Sequence, residues 1–242
     1  EYKDMNLFPK NVNFLSTRRY IDGGRSSASF GNFNLALHVN DSRENVLKNR
    51  SLLRNYYELP SNPVWINQTH SSICVDASLT KKIVEADASF TLIPGVVCAI
   101  LTADCLPVFV SKKDGSMVGI AHAGWKGLIA GVIESLIESF DCNGEDLVVH
   151  LGPAISLNSF EVGKEIRDLY ISKNKMFNQS FSYNDDKYYL DLYGAAKIIL
   201  ESFNITLISG GNRCTVKESG EFFSYRRDGV YSGRMAHLIW IK

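Results

Sequence analysis

The sequence lacks an excess of charge of either sign, since 26 Lys and Arg residues balance 26 Asp and Glu residues among 242. This balance offers no electrostatic basis for binding nucleic acid or an anionic membrane. No apolar run approaches the roughly 18 residues that a membrane-spanning helix requires. The first ten residues also lack the apolar core of a signal peptide, and Met5 is an alternative start. We therefore expect a soluble globular protein with neither nucleic acid nor a membrane as partner.

Cysteine pairs at short spacing are also absent. The five cysteines stand at irregular positions, with no CxxC pair among them. An odd number at irregular spacing argues against a disulfide framework and favours reduced thiols, and hence a cytoplasmic location. In that compartment a cysteine can serve as a metal ligand or as a nucleophile.

Apolar periodicity predicts a mixed α+β fold. Strands are predicted at 14–20, 64–76, 86–90, 95–110, 117–125, 146–151, 205–209 and 234–241. Helices are predicted at 43–57, 128–140, 161–172 and 190–203, with a polar loop at 174–187. The strands outnumber what a βαβ repeat needs, which favours α+β over a doubly wound sheet. No internal repeat or linker is visible, so residues 1–242 are predicted to form one domain.

The stretch 101–140 carries two potential metal ligands next to a helix. Cys105 lies in the first of two β-type runs and His122 in the second, and apolar residues then recur at helical intervals from Leu128 to Phe140. A thiol and an imidazole at the ends of neighbouring strands form a candidate site. The alternative is a buried core cysteine and a structural histidine.

A third ligand candidate lies upstream, in the segment 64–76. Strand alternation places Gln68 and His70 on the same face. His70, Cys105 and His122 together offer two imidazoles and one thiolate, a set that suits zinc or copper and leaves a fourth position open. Spacings of 35 and 17 residues are too long for a zinc-finger clip. A histidine hydrogen-bonded to a neighbour is the alternative for His70.

Acidic and basic residues accompany these ligands. Asp104 precedes Cys105 and is expected to point to the opposite face, where it supports the site or caps the turn before Pro107. Arg226 and Arg234 lie near the carboxyl end, and the planar guanidinium suits phosphate or carboxylate. A solvated basic loop is the alternative for these arginines.

Together these segments resemble the YfiH family, also called the laccase-domain or multicopper polyphenol oxidase-like family. The matching motifs run in family order along almost the whole chain, and TADC within TADCLPV (102–108), together with HAGW within AHAGWKGLIAGV (121–132), is highly specific. The others are FNLALHVND (33–41), NRSLL (49–53), PVWINQTHS (63–71), ADASFT (86–91), LGPAIS (151–156), FEVG (160–163), GNRCT (211–215), FFSYRRDG (222–229) and GRMA (233–236). One motif departs from the family, reading QTHS where QVHG is usual, but it keeps the histidine.

The resemblance implies a metal site of His70, Cys105 and His122. It also implies a single α+β domain with a central two-sheet β core flanked by helices, similar to certain Cys-His toxin hydrolase domains. Family members are associated with zinc-dependent phosphorolysis of adenosine, inosine and methylthioadenosine, and with adenosine deamination. Others are described as copper-dependent polyphenol oxidases or as peptidoglycan-precursor editing amidases.

Four hypotheses follow. The first is a zinc-dependent purine nucleoside enzyme, with nucleoside and phosphate as substrates and His70, Cys105 and His122 as catalytic residues. The second is a copper oxidase of phenols, although five histidines are few for a multicopper centre. The third is a hydrolase with Cys105 as nucleophile and His122 or His70 as base. The fourth is a structural zinc site, which lacks an obvious fourth ligand.

Substrate contacts are expected from both ends of the chain. The residues predicted to bind phosphate, sugar or base are Asn34, Gln68, Arg226 and Arg234. The aromatic residues considered for stacking on a base are Phe33, Trp125 and Tyr225.

Overall fold

The computed structural model describes residues 7–242, and Met5 lies outside them. The strands are β1 Val12–Ser16, β2 Val64–Trp65, β3 Cys74–Asp76, β4 Ala88–Thr91, β5 Cys98–Thr102, β6 Leu106–Lys112, β7 Val118–Ala123, β8 Leu147–Leu151, β9 Glu161–Val162, β10 Phe181–Asn184, β11 Lys187–Leu190, β12 Ile208–Gly210 and β13 Met235–Ile241. The α-helices are α1 Arg43–Tyr56, α2 Trp125–Ala130, α3 Val132–Glu138, α4 Lys164–Lys173, α5 Leu192–Ser202 and α6 Tyr225–Asp228. Short 3₁₀ segments span Ala28–Phe30, Ala77–Leu79, Gly144–Asp146, Leu157–Ser159, Lys175–Ser180 and Gly229–Tyr231.

Two large sheets form the centre of the fold. A six-stranded sheet has the order β12-β8-β6-β7-β4-β3, and a four-stranded sheet has the order β1-β13-β5-β2. Both are mixed, because their inner pairs are antiparallel whereas β12 with β8, β3 with β4, and β2 with β5 run parallel. A third, three-stranded sheet of order β10-β11-β9 is added to one side.

Side-chain alternation explains how the two large sheets pack. In β6, Phe109 points into a core shared with the four-stranded sheet, while Val108 and Val110 point to the helices on the other face. In β5, Ile100 joins that shared core, while Leu101 packs on the side of α1. Successive side chains of a strand point to opposite faces of its sheet, and in β5 and β6 both sets are apolar. Each large sheet therefore has two apolar faces. The layers therefore run α1, four-stranded sheet, six-stranded sheet, then α2, α3 and α5.

The helix expected at 128–140 is two helices. Gly131 separates α2 from α3 with a left-handed φ of 97°, a conformation that glycine adopts without steric cost. The apolar face is nevertheless continuous, because Leu128, Ile133 and Leu136 all contribute to one core. The periodicity predicted the buried face correctly and missed the break.

Two predicted long strands are interrupted, and the interruptions carry the ligands. Residues 64–76 form only β2 and β3, and His70 lies in the turn between them with φ 62°. Residues 95–110 form β5 and β6, separated by a bend that contains Cys105. The prediction that these two ligands lie within strands was therefore wrong, whereas His122 does lie in β7.

The prediction of a loop at 174–187 was also wrong in part. These residues contain a 3₁₀ segment and β10, which pairs with β11 as an antiparallel hairpin. The remaining predicted helices and strands are present, with ends shifted by a few residues.

The α+β fold class with two central sheets is confirmed. The extent of the single domain over 1–242 stays a prediction. Among residues 7–242 no helix has both the length and the apolar character needed to cross a membrane.

Candidate metal and active site

Three separate segments bring the predicted ligands together. His70 lies in the turn between β2 and β3, Cys105 in the bend between β5 and β6, and His122 near the end of β7. The ligand atoms of these three side chains all lie within 4.8 Å of one another. His70 Nε2 is 4.0 Å from Cys105 Sγ, and the two imidazole rings meet edge to face with centroids 4.9 Å apart. The sequence-predicted group is therefore one cluster in space.

Exposure is graded across the cluster. His70 is exposed, Cys105 is half-buried and His122 is buried. The cluster therefore has a closed, rigid side and a side that opens toward solvent, as a site with an exchangeable position requires.

Asp87, directly before β4, organises two of the three ligands. Its Oδ1 lies 2.7 Å from His122 Nδ1 and accepts the backbone N–H of His70 at 3.0 Å. Its Oδ2 accepts the backbone N–H of Thr69 at 3.1 Å and of Ser71 at 2.6 Å. In the neutral form of His122, which is the form that binds a metal ion, a carboxylate that accepts from Nδ1 places the free lone pair on Nε2.

The electrostatics of the cluster favour a charged pair. Burial would raise the pKa of the Cys105 thiol, but the charge and hydrogen bonds of His122 and His70 lower it overall. Burial would lower the pKa of His122, but the Cys105 thiolate and Asp87 raise it. Hydrogen bonds from His122 and Ser71 outweigh burial and lower the pKa of Asp87 to about 2. The sulfur is therefore held as a thiolate, the form that binds metals and acts as a nucleophile.

Gly124 makes room for this cluster. A Cβ at this position would stand 2.7 Å from Cys105 Sγ and 3.2 Å from His70 Cδ2. Gly124 is also the N-cap residue of α2, so β7 leads directly from His122 into the helix. Two imidazoles and a thiolate, with one face left clear, fit a zinc or copper ion.

The cluster lies in a cavity of about 570 Å³. The other lining residues are His38, Gln68, Leu101, Thr102, Ala103, Asp104, Trp125, Lys126, Ile155, Phe160, Leu192, Tyr225, Arg226 and Arg234. The cavity has the size of a small-molecule site and combines aromatic rings with cationic groups.

Two arginines reach this cavity from the carboxyl-terminal part of the chain. Arg226 donates to the carbonyl of Glu161 at 3.0 Å and stacks over the Phe160 ring at 5.1 Å. Arg234 donates to the carbonyl of Ser232 at 2.7 Å, and burial lowers the pKa of its guanidinium. Both predicted arginines therefore line the cavity, although each also holds backbone in place.

Gln68 and Asn34 have structural contacts that the sequence does not reveal. Gln68 lines the cavity, but its amide donates to the Leu101 carbonyl at 2.8 Å and accepts from the Leu101 N–H at 2.7 Å. Asn34 is fully buried and is not among the lining residues. Its Oδ1 accepts the backbone N–H groups of Ala36 and Arg234, both at 3.0 Å. Asn34 therefore orders the backbone beneath Arg234, and a direct contact with substrate does not fit its position.

The three aromatic residues considered for stacking also differ in whether they line the cavity. Trp125 and Tyr225 line the cavity, whereas Phe33 is fully buried against the four-stranded sheet. Only the first two are placed to stack on a planar ligand.

Sequence reasoning missed three residues of the site. Asp87 holds two ligands, and His38 and Lys126 line the cavity. Each lies within a motif used for the family resemblance, which is the signal that could have indicated them. Their roles depend on contacts between distant segments, which spacing does not show.

Two bacterial proteins align along nearly the full length of the chain. The purine nucleoside phosphorylase of Haemophilus influenzae is 40% identical over 237 residues, covering 97% of this chain and 96% of the relative. The purine nucleoside phosphorylase YfiH of Escherichia coli is also 40% identical, covering 96% and 95%.

Solved structures agree with the fold. A Neisseria meningitidis protein described as DUF152 is 39% identical, with a TM-score of 0.92 over 98% of this chain and 96% of its own. YlmD from Geobacillus stearothermophilus is 26% identical, with a TM-score of 0.87 over 98% and 94%. The model of the family described as multi-copper polyphenol oxidoreductase laccase matches residues 13–242. With these relatives and the His70, Cys105 and His122 cluster in place, the chain belongs to this laccase-like YfiH family.

Proposed function

We propose that the protein is a metal-dependent purine nucleoside phosphorylase with zinc on His70, Cys105 and His122. The observation that carries this proposal is the composition of one cavity. The cavity contains the ligand cluster, the cations Arg226 and Arg234, and the aromatic rings of Trp125 and Tyr225. A nucleoside offers a planar base and phosphate offers charged oxygens, so the two substrates match the two kinds of lining. Relatives at 40% identity carry the same activity in their names.

In phosphorolysis a phosphate oxygen forms a bond to C1′ of the ribose. The bond from C1′ to the purine nitrogen breaks, and its electron pair leaves with the base, which takes up a proton. Arg226 and Arg234 would neutralise and orient the phosphate. Trp125 and Tyr225 would hold the base by stacking. A bound zinc ion would supply Lewis-acid stabilisation of negative charge on oxygen.

Adenosine deamination is proposed at the same cavity. Water adds at the purine carbon that bears the amino group, and ammonia leaves. His70, Cys105 and His122 would hold the zinc ion, whose Lewis acidity would lower the pKa of the attacking water. The cavity size admits a nucleoside with either water or phosphate.

Copper-dependent oxidation of phenols is the second candidate. The description of the family model and the sulfur and imidazole donors favour it. Reduction of oxygen to water needs four electrons, and the chain has five histidines in all. His237 is fully buried and His150 lies in β8, away from the cavity lining, so they do not extend the cluster to further coppers.

A cysteine-dependent amidase is the third candidate. The lowered pKa of Cys105 beside His122 resembles an activated nucleophile and its base. In this case the reaction would proceed in metal-free protein.

One set of assays separates these functions. Purified protein is analysed for bound metal, then assayed with inosine plus phosphate, adenosine alone, a phenol with and without copper, and a peptidoglycan-precursor amide. We expect base release from inosine that requires phosphate, is lost with a strong chelator and returns with zinc. Cys105→Ser should abolish it, whereas Cys142→Ser, a change at a thiol outside the cavity, should not.

Three results would contradict the proposal. If the protein releases no base from inosine, adenosine or methylthioadenosine in the presence of phosphate, it is not a purine nucleoside phosphorylase. Phenol oxidation only with stoichiometric copper would favour the oxidase. Amide cleavage in chelated protein, blocked by alkylation of Cys105, would favour the hydrolase.

The proposed setting is a reducing cytoplasm with small-molecule substrates. All five cysteines are free thiols, consistent with that compartment.

A further inference from the structure

Asp104 has an unusual backbone conformation beside a candidate ligand. It precedes Cys105 and has φ 98°, a region that non-glycine residues rarely occupy. The residue is buried, with 8% of its surface exposed. Its own carbonyl accepts the N–H of Ile155 at 2.9 Å, so the bend is held from the side of the six-stranded sheet. A strained position of this kind persists only where its surroundings over-determine it.

Both carboxylate oxygens of Asp104 reach distant parts of the chain. Oδ1 accepts the hydroxyl of Thr215 at 2.6 Å. Oδ2 accepts the backbone N–H of Arg226 at 2.6 Å. Both are short hydrogen bonds to a buried side chain, and they join it to two segments more than 100 residues away.

Hydrogen bonds from Arg227 also join the segment at Thr215 to helix α6. The Arg227 guanidinium donates to the carbonyl of Thr215 at 3.0 Å and of Phe222 at 3.0 Å. The bend that carries Cys105, the segment at Thr215 and helix α6 are therefore tied together. Helix α6 has four residues, so it has little internal hydrogen bonding with which to fix its own position.

The side chains that α6 presents to the cavity depend on this attachment. Arg226 and Tyr225 are exposed and line the same cavity as the ligand cluster. The Arg226 guanidinium contacts Phe160 and the Glu161 carbonyl, and both contacts require its backbone to stay in register. Asp104 anchors that backbone at the Arg226 N–H itself.

We infer that Asp104 is a positioning residue for phosphate, acting through Arg226. It joins the Cys105 bend to α6, so that the guanidinium and the ligand cluster stand at a set separation across the cavity. This inference rests on the proposed phosphorolysis, because it assigns the anion-binding role to Arg226. Each carboxylate oxygen of Asp104 already accepts a hydrogen bond from the chain.

The test compares Asp104→Asn with three other variants in zinc-loaded protein. The asparagine keeps the volume and one carbonyl oxygen but cannot accept from both donors. Thr215→Val removes the hydroxyl on Oδ1 and leaves the Arg226 bond. Arg226→Ala removes the guanidinium, and Asp114→Asn is a matched change at an exposed turn. Measurements are KM for phosphate and for inosine, kcat, zinc content, melting temperature, and phosphate binding by calorimetry.

We expect Asp104→Asn to raise KM for phosphate and the phosphate Kd about tenfold, with KM for inosine and zinc content little changed. Thr215→Val should shift phosphate affinity in the same direction by a smaller factor, and Asp114→Asn should leave it unchanged. In the Arg226→Ala background, Asp104→Asn should have almost no further effect on phosphate affinity, since the two residues act in series.

Several outcomes would overturn the inference. Unchanged phosphate affinity in Asp104→Asn, or an effect that persists in full in the Arg226→Ala background, would do so. If Asp104→Asn does not fold, an unaltered phosphate affinity in Thr215→Val decides against the inference and a raised KM supports it. Failure of the proposed function is a separate result, in which the wild-type protein neither binds phosphate nor releases base.

Discussion

The carboxylate of Asp87 lies 2.7 Å from Nδ1 of His122 while the same carboxylate accepts three consecutive backbone N–H groups at 69–71. One buried side chain thus fixes the tautomer of one candidate ligand and the backbone of another. His70 has a positive φ, which costs conformational energy, and the hydrogen bonds to Asp87 offset that cost.

Asp87→Asn should weaken metal binding more strongly than it weakens the fold. An amide cannot accept from all of these donors, and its NH₂ would face N–H groups. Removing the partner of a ligating histidine typically lowers metal affinity about 10–100-fold. The measurement is zinc affinity by competition with a chromophoric chelator, beside the melting temperature.

Ser71→Ala is the matched control for this change. The Ser71 hydroxyl donates to Oδ2 at 2.8 Å, so its loss removes one donor and leaves the bond to His122 intact. We expect a much smaller change in zinc affinity. An equal loss of zinc affinity in Asp87→Asn and Ser71→Ala would show that Asp87 acts only by ordering the turn at 69–71.

Gly124→Ala should disturb the cluster with little effect on the backbone. The φ of Gly124 is −73°, which alanine adopts readily, but the added Cβ would stand 2.7 Å from Cys105 Sγ. Ligand positions must hold to within about 0.5 Å, so the displaced sulfur should lower zinc affinity by roughly tenfold or more.

The control is Gly220→Ala, where an added Cβ meets nothing within 4 Å. It should leave zinc affinity unchanged, as measured by the same competition assay. Normal zinc affinity in Gly124→Ala would mean that Cys105 moves freely and is not held against this glycine.

Asn34→Ala should cost stability, because Asn34 serves the fold beneath the cavity. Its loss leaves the buried N–H groups of Ala36 and Arg234 without their acceptor. We expect a fall in the free energy of unfolding of roughly 2–4 kcal/mol by urea denaturation. Asn55→Ala, at an exposed position of α1, should stay within about 0.5 kcal/mol of wild type. A stable Asn34→Ala protein with a raised KM for nucleoside would instead restore the predicted substrate contact.

Much of the architecture follows from apolar periodicity, and the exceptions have a common cause. Period-two runs predicted β7 and β13, and a helical period predicted α5, because each buries one or two continuous faces. The same rule predicted continuous strands through His70 and Cys105, because the turns at these residues contain neither glycine nor proline. Those turns are held by Asp87 and Asp104, whose partners lie 16 to 122 residues away.

The ligand cluster could be predicted only by joining residue chemistry to the family motifs. Two histidines and a cysteine suit a metal ion wherever they meet, but spacings of 35 and 17 residues do not say that they meet. Motif order supplied that link for His70, Cys105 and His122. It did not separate Arg226, which lines the cavity, from Asn34, which lies beneath it, because both are polar residues in matching segments.

His237 is a buried titratable group outside the ligand cluster. It lies in β13, with Nε2 2.8 Å from the Thr102 hydroxyl, Nδ1 2.7 Å from the Ser16 hydroxyl, and its ring against Phe109. Burial, with a contribution from the charge of His122, lowers the pKa of His237 to about 3 from 6.5. The imidazole is therefore neutral in the folded protein across the physiological range.

His237 should make the fold sensitive to acid in a defined window. Between pH 6.5 and about 3 the unfolded chain binds a proton at His237 that the folded chain does not, so stability falls as pH falls. The contribution is up to about 1.4 kcal/mol per pH unit and is absent above pH 6.5. His237→Gln does not titrate, so its unfolding free energy, measured by urea denaturation from pH 7.5 to 4.5, should decline less steeply than that of wild type by this amount. Parallel declines in the two proteins would show that His237 is protonated in the folded state as readily as in the unfolded one.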